Sequence, residues 1–192
     1  MATTLIKTIT STGASTASFV DGTSSVVLDD TYKLYRFTFV DINPATDGAE
    51  FIFQCNASGA SGYNEEAINA MHATAHDESD SATDYSYVSG GDSINDSATS
   101  QGSALGTSFL NLAMNIGNGS DESCAGELLL FDPSNTTYVT HFLSRISVLN
   151  QNDNAQDYFT GGLFNITAAV DEIQFKMSSG NFDGTISLWG VA

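Results

Sequence analysis

Apolar side chains recur at every second position in short runs of this 192-residue chain, and that period limits the folds open to it. Tyr35, Phe37 and Phe39 fall on one side of an extended chain, whereas Arg36 and Thr38 fall on the other. A period of two residues is that of a β-strand with one buried and one solvated face. These runs therefore predict strands that pack in layers.

The same alternation recurs towards the C-terminal end, where Ile173, Phe175 and Met177 alternate with Gln174 and Lys176. Strong turn formers, such as Asn-Pro and Asp-Gly pairs, separate the runs. Short strands punctuated in this way predict an all-β fold, an antiparallel β-sandwich with jelly-roll topology as the first choice. The predicted strands span residues 4–10, 15–20, 25–28, 32–40, 49–55, 85–89, 109–116, 126–131, 138–148, 158–166, 170–177 and 185–191.

One segment departs from this pattern. Residues 65–76 carry apolar side chains at three- and four-residue spacings, which predicts one short amphipathic helix, although their Ala and Thr content leaves a strand possible. Residues 77–106 are mostly acidic, small and polar, which indicates a long excursion outside the core. We expect residues 1–192 to form a single β-sandwich domain with an exposed loop and short-helix insertion at about 65–106.

The chain is strongly acidic, with 23 Asp and Glu residues against 5 Lys and Arg residues and a formal charge of −18. Repulsion from phosphates and anionic lipids argues against nucleic acid or a membrane surface as a partner. The N-terminal residues lack a basic region followed by an apolar run, so they do not resemble a secretory signal. No segment approaches the roughly 20 apolar residues of a membrane span. We expect a protein made in the cytoplasm of its host cell and not inserted into a membrane.

The two cysteines, Cys55 and Cys124, occupy neither a Cys-x-x-Cys motif nor a Cys/His cluster. A pair of cysteines in a chain of this length does not indicate a disulfide framework. Two buried free thiols are favoured, since free cysteine packs as a small apolar residue, and one disulfide is the alternative.

A cluster of histidines and carboxylates is the strongest candidate for a metal site. If residues 65–76 are helical, two histidines lie four residues apart on one face, which is a metal-ligand spacing, and hard oxygen ligands for Ca²⁺ follow. A solvated acidic loop is the competing interpretation, and no other cofactor is indicated. The candidate ligands are His72, His76, Asp77, Glu78, Asp80 and Asp84.

The sequence offers little for catalysis. It contains no Gly-x-Ser-x-Gly elbow and no Gly-rich phosphate loop, so we predict that the protein is not an enzyme. Paired carboxylates for glycoside cleavage stay open as a third choice, because only geometry identifies them. Aromatic residues near predicted loops could line a binding surface or pack in the core and at subunit contacts. These candidate binding residues are Tyr63, Tyr85, Tyr87, Tyr158 and Trp189.

Four segments carry a recognisable pattern: TLIKTI at residues 4–9, residues 32–44, LFDPS at 130–134, and residues 173–191, which is the most specific part. In these segments the chain resembles small structural proteins of marine and proteobacterial tailed bacteriophages, described as decoration-like or tail-fibre-like. Residues 57–125 carry no match. The family usually ends in Tyr-Gly-Ile or a similar triplet, whereas Trp189-Gly190-Val191 stands in this chain.

The resemblance implies a place on the outer surface of the virion and a homotrimer, and it transfers no catalytic residue. We expect docking onto other virion proteins, as a capsid decoration (cement) protein or a short-fibre module. A tail-fibre module that binds host-surface glycan is the rival expectation. Head or tail location stays open, because such proteins are described for both.

Overall fold

The computed structural model describes residues 2–77, 79–81, 83–87, 100–101 and 105–192, and all the regular elements in these ranges are strands. They form a nine-stranded sheet, the large sheet, and a five-stranded sheet, the small sheet. The large sheet contains β1 (Thr3–Ala14), β3 (Leu34–Pro44), β5 (Ala67–Asp77), β6 (Thr83–Tyr87), β8 (Leu105–Gly106), β10 (Cys124–Phe131), β11 (Thr140–Leu149), β12 (Asn154–Phe164) and β14 (Phe182–Val191). The small sheet contains β2 (Thr16–Val20), β4 (Ala49–Ala57), β7 (Ser100–Gln101), β9 (Phe109–Ile116) and β13 (Val170–Met177).

The strand order shows that the chain crosses repeatedly between the two sheets. The large sheet runs β1-β14-β3-β10-β11-β12-β5-β6, and β8 pairs with another part of β5. The small sheet runs β2-β13-β4-β9-β7. Neighbouring strands are antiparallel except for β7 and β9, which are parallel. The predicted all-β antiparallel sandwich is thus confirmed.

The core between the sheets is built from the side chains that the alternation predicted to be buried. Tyr35 and Phe37 are 0 % exposed and Phe39 is 1 % exposed, while Ile173 and Phe175 are 0 % exposed. Burial of large aromatic side chains supplies much of the stability of such a core. Phe175 lies at its centre, and the ring centroids of five other phenylalanines lie 5.2–6.2 Å from its own, those of Phe19, Phe37, Phe39, Phe51 and Phe53.

Both cysteines are buried free thiols, as favoured from the sequence. Burial in an apolar environment raises the pKa of the Cys55 thiol, and the charges of Glu65 and Asp171 raise it further. Burial alone raises the pKa of Cys124. Both groups therefore pack as small apolar side chains, protected from reagents in solution.

The predicted helix at residues 65–76 is wrong. The segment forms β5, which pairs with β12 along its whole length and with β6 on its other side. Met71 is fully buried and Ala73 nearly so, whereas Ile68 points outward and is 43 % exposed, which is a period of two. The segment forms a strand despite its helix-like spacing, because two neighbouring strands offer its backbone hydrogen-bonding partners. Such tertiary pairing overrides a weak local preference for a helix.

Two further expectations need correction. The expected excursion at about 65–106 includes β5, so it does not lie outside the sheets as a whole, and residues 78, 82, 88–99 and 102–104 of it lie outside the described residues. Residues 25–28 form no strand, although Val26 and Leu28 are buried at 4 % and 2 % exposure. Ser24 and Ser25 have positive φ angles of 51° and 67°, which break an extended strand.

Candidate binding surface

The outward side of β10, β11, β12 and β5 forms a broad surface, which we call the bare face. On β11 the inward residues are buried and the outward residues are exposed in strict alternation, so this sheet has only one side in the core. Leu143 and Arg145 are outward residues of this strand. Arg145 lies opposite Phe159 on β12, which in turn lies opposite His72 on β5. The bare face has a charged end and an apolar end.

Two arginine–carboxylate pairs occupy the charged end. The Nε of Arg36 lies 2.7 Å from Oε2 of Glu127 on the neighbouring strand. Arg145 binds Asp157 in a bidentate manner, with Nε 3.0 Å and Nη2 2.6 Å from Oδ2 of the carboxylate. The hydrogen bond and charge of Asp157 raise the pKa of Arg145. The four formal charges cancel, so this part of a strongly acidic molecule is locally neutral.

A ladder of flat groups crosses the middle of the bare face. The guanidinium carbon of Arg145 lies 4.7 Å from the centroid of the Phe159 ring. The His72 ring stacks on Phe159 at 5.0 Å with an interplanar angle of 2°. Since β12 lies between β11 and β5, these two groups approach Phe159 from opposite sides. Phe159 consequently presents an edge to solvent, and neither face of its ring is free for a ligand.

The apolar end lies beyond this ladder. Leu143 is 52 % exposed, Ile68 43 % and Leu105 49 %, all on the outward side of the sheet. Leu143 and Ile68, with Phe131 and Leu163, line a depression of about 740 Å³, and Leu105 lies beside Ile68 on the neighbouring β8. An outward sheet face in water is normally polar, and contiguous exposed apolar surface marks a place where another molecule docks.

A trough with a volume of about 670 Å³ lies on the other side of the ladder, at the charged end. Its walls include both arginine–carboxylate pairs together with Gln156, Thr74 and Ser147. Ala125, Gly126, Ala75 and Ala155 also line it, and their small side chains leave the space open. Its donors and acceptors suit a polar ligand that makes several hydrogen bonds.

The outward side of β4 in the small sheet, which we call the covered face, is closed by the chain itself. Ile52 and Gln54 are 0 % exposed and Asn56 is 3 % exposed, although all three alternate with residues that face the core. Nε2 of Gln54 donates hydrogen bonds to the carbonyl oxygens of Glu65 at 3.0 Å and Ser108 at 3.1 Å. The segments around residues 65 and 108 are thereby attached to this side of the small sheet.

The predicted metal ligands separate in the structure. His72 stacks on Phe159, His76 lies 3.2 Å from the carboxylate of Asp80, and Asp77 accepts a hydrogen bond from the backbone NH of Ser81 at 2.8 Å. Glu78 lies outside the described residues. Across the part of the chain that is described, no three His, Cys, Asp or Glu side chains are grouped so as to hold a metal ion. Asp84 lies on β6, opposite Ala75.

The predicted aromatic binding residues also occupy different places. Tyr85 is 71 % exposed and its ring lies 6.2 Å from His72, at the margin of the bare face. Tyr63 lies over the covered face, 6.5 Å from Phe109. The indole NH of Trp189 donates to the Thr38 hydroxyl at 3.1 Å on the outward side of the large sheet. Tyr87 is described by its backbone alone.

The prediction that Tyr158 lines a binding surface is wrong, because Tyr158 is 3 % exposed and belongs to the core. Its hydroxyl donates to Oε1 of Gln156 at 2.9 Å. Burial, assisted by the charge of Glu50, raises its pKa to about 12. Its ring therefore cannot line a surface, and the proximity to a turn that suggested a surface role was misleading.

Sequence reasoning missed the residues that define the bare face. Arg145, Leu143 and Phe159 lie in runs predicted to be strands, and the alternation within these runs could have identified them. The residues two positions before and after Leu143 are polar, and so is the residue two positions before Phe159, so an alternating strand should carry a polar side chain at these two positions as well. Their assembly into one surface depends on the pairing of β10, β11, β12 and β5, which the sequence does not reveal.

Comparison of the chain with protein-family models, with curated proteins and with solved structures finds no match in any of the three. The described residues contain no helix with the length and apolar character needed to cross a membrane.

Proposed function

We propose that this protein is a binding and assembly module on the outer surface of a tailed-bacteriophage virion, without catalytic activity. It docks onto other virion proteins as a capsid decoration (cement) protein or a short-fibre module. The observation that carries the proposal is the bare face, which combines exposed leucines with charges that cancel in a chain of formal charge −18. Protein interfaces have this composition, an apolar centre beside a polar rim that contains arginine.

The assignment to a phage is supported by the resemblance of the two chain ends to small phage structural proteins. In the fold these ends lie side by side, because β1 pairs with β14 from Thr3 opposite Val191 to Ala14 opposite Phe182. The segments with the most specific resemblance thus form one structural unit, which is expected if they were retained together.

The strand order supports a jelly-roll core, which we include in the proposal. The order β1-β14-β3-β10 in the large sheet and β2-β13-β4-β9 in the small sheet is that of two interleaved Greek keys of eight strands. In this interpretation β11, β12, β5 and β6 extend the large sheet and create the bare face. Jelly rolls are found in viral capsid proteins and in lectins, so the fold is compatible with the proposal but does not select a function by itself.

Docking through the bare face works by excluding water. Leu143, Ile68 and Leu105 lose contact with solvent, while Arg36 and Arg145 remain paired with their carboxylates at the rim. Four strands spaced about 4.8 Å apart give a patch of roughly 500 Å² per copy, which is a small interface. Many copies on one particle, acting together, would compensate for a weak single contact.

Electron microscopy of purified particles, labelled with an antibody raised against this protein, tests the location. The proposal expects label on intact particles of the phage that encodes the chain, either over the head or at the tail. Particles that carry no label, and whose protein content lacks this chain by mass spectrometry, would refute it.

A surface variant tests the docking face itself. Leu143→Asp places a charge in the apolar end, so incorporation of the protein into particles should fall by at least about tenfold, since burying an unpaired charge costs several kcal/mol. Ser61→Asp adds the same charge at an exposed position on the other side of the sandwich and should incorporate normally. Equal incorporation of both variants would exclude the bare face as the docking surface.

A tail-fibre module that binds host-surface glycan is the second candidate, and the trough at the charged end favours it. The Arg145–Asp157 pair and the exposed Ser147 hydroxyl offer hydrogen-bonding groups of the kind that hold sugar hydroxyls. Calorimetry with purified host envelope polysaccharide tests this candidate, with Ser147→Ala as the site variant and Ser61→Ala as the control. Binding by the wild type that Ser147→Ala weakens would establish the glycan function, and no heat with wild-type protein would reject it.

A further inference from the structure

The acidic residues are distributed unevenly along the chain. None of the 23 Asp and Glu residues precedes Asp21, so residues 2–20 carry one charge, that of Lys7. These residues form β1 and β2, the first strands in the order of the large and the small sheet respectively. β1 and β2 therefore contain no acidic residue, although Asp171 and Glu172 of β13 lie beside the end of β2.

In the large sheet, the strand beside β1 adds little negative charge to the β1 edge. β14 contains one acidic residue, Asp183, whose carboxylate accepts a hydrogen bond from the backbone NH of Gly13 at 2.6 Å. Beside Asp183, β14 presents hydroxyl groups to β1, and Ser187 lies 2.9 Å from Thr8. An approaching molecule with the same overall charge would meet little negative charge along the β1 edge of the large sheet.

β1 is a long edge strand of 12 residues that, within the described ranges, pairs with β14 alone. One side of its backbone consequently presents NH and carbonyl groups that can pair with a further strand. Natural proteins shield such edges with proline, with several charges or with short strands. β1 contains no proline, and its protection consists of Lys7 and two irregularities in its pairing with β14, between Leu5 and Lys7 and between Thr12 and Ala14.

Apolar side chains accompany this edge. Leu5 is 50 % exposed, and Ile6 and Ile9 are partly buried against the core. A strand of 12 residues is roughly 40 Å long, and the β1 edge covers on the order of 600 Å² of one copy. Twice this area lies at the lower end of the range for specific interfaces, which suits a contact that forms at high local concentration.

We infer that a second copy of this chain pairs antiparallel with the free side of β1, so that two large sheets join into one continuous sheet. The contact is two-fold symmetric, with the same strand contributed by each copy. A second copy fits because each copy carries a formal charge of −18, whereas β1, with free backbone groups at its edge, carries only the charge of Lys7. The pairing places the outward sides of the two large sheets on the same side of the joined sheet. The inference goes beyond the proposed function and does not depend on it.

Sedimentation velocity at several protein concentrations tests the inference. Wild-type protein should shift from one copy to two as concentration rises, and more readily at high salt, because salt screens the repulsion between two acidic molecules. The variant Leu5→Glu with Thr10→Glu adds two negative charges to the pairing strand of each copy, so that like charges meet across the two-fold contact. Its dissociation constant should rise by more than about tenfold.

The matched control is Ser61→Glu with Asn152→Glu, which adds the same two charges at exposed positions away from β1 and should associate like the wild type. Leu5→Glu alone serves if the double variant does not fold, as judged by circular dichroism. Hydrogen exchange adds a direct readout, because backbone NH groups of β1 should become protected as concentration rises.

Three results would overturn the inference. A wild-type mass that stays at one copy at every concentration and salt level excludes self-pairing. A mass of three copies supports the homotrimer that the family resemblance implies and excludes a two-fold contact. Dimers that Leu143→Asp disrupts, while the β1 variant does not, would place the contact on the bare face. None of these results depends on whether particles contain the protein, so the two proposals can fail separately.

Discussion

The outward sides of the two sheets differ, although both belong to the same sandwich. The small sheet is closed by the chain itself, so that Ile52, Gln54 and Asn56 on β4 are buried. The large sheet keeps its outward side open, and Leu143 there is 52 % exposed. An apolar group under a covering segment stabilises the fold, whereas the same group on an open sheet is available to a partner. The comparison separates residues that serve stability from residues that serve binding.

The largest effect is expected on the covered face. Gln54→Met keeps the length of the side chain but removes the donor for the carbonyl oxygens of Glu65 and Ser108 and the acceptor for the backbone NH of Cys55. Leaving these buried groups unpaired should lower the free energy of unfolding by about 3 kcal/mol. Urea denaturation measures the change. A loss below about 1 kcal/mol would mean that the covering segments are not held by Gln54.

The corresponding change on the bare face should affect stability much less. Leu143→Asp removes a half-exposed side chain with no covering segment, so the free energy of unfolding should fall by no more than about 1 kcal/mol. Urea denaturation of this variant, run beside Gln54→Met, gives the comparison directly. If the two losses were equal, the bare face would be a structural element like the covered face.

The loss of stability at alkaline pH should depend on Tyr63, which lies over the covered face. Burial raises the pKa of Tyr63, and the nearby Glu172 raises it further. Because the folded-state pKa lies above the unfolded value of about 10, the stabilising contribution is complete below pH 10 and is lost as pH rises through the folded-state value. Tyr63→Phe should therefore weaken the fall in stability above pH 10.

Thermal unfolding of wild type and Tyr63→Phe, followed between neutral pH and pH 12, checks this expectation. The fall that remains in the variant should come from Tyr158, whose pKa is raised to about 12, and from Tyr35, Cys55 and Cys124, whose pKa values are also raised by burial. Identical pH profiles for the two proteins would show that Tyr63 is not held against the covered face.

The smallest effect on stability is expected from the charge pair on the bare face. Arg145 is largely exposed, and exposed ion pairs contribute little, so Arg145→Met should change the unfolding midpoint less than Leu143→Asp does. Asp157→Asn serves as the matched partner variant, and a double-mutant cycle with Arg145→Met isolates the pair. A strong coupling would show that the pair holds β11 and β12 together and is not reserved for a ligand.

Sequence periodicity was sufficient to predict the class of fold and many of the residues in the core. Alternation identified the buried sides of β3 and β13, and the absence of motifs correctly favoured free cysteines. It failed for β5, because Ala-rich segments have weak local preference and the choice is made by neighbouring strands. It also failed for residues 25–28, where positive φ angles at Ser24 and Ser25 interrupt a run of apolar residues.

The sequence alone determined that this chain builds layered sheets, because a period of two fixes which side chains share a face of a strand. It also fixed the concentration of acidic residues after position 20, which is a property of composition and needs no fold. Only the tertiary structure decided that Arg145, Phe159 and His72 form one ladder, since they come from three strands brought together by pairing. Pairing depends on contacts between residues distant in sequence, and for that reason the binding surface could not be read from local pattern.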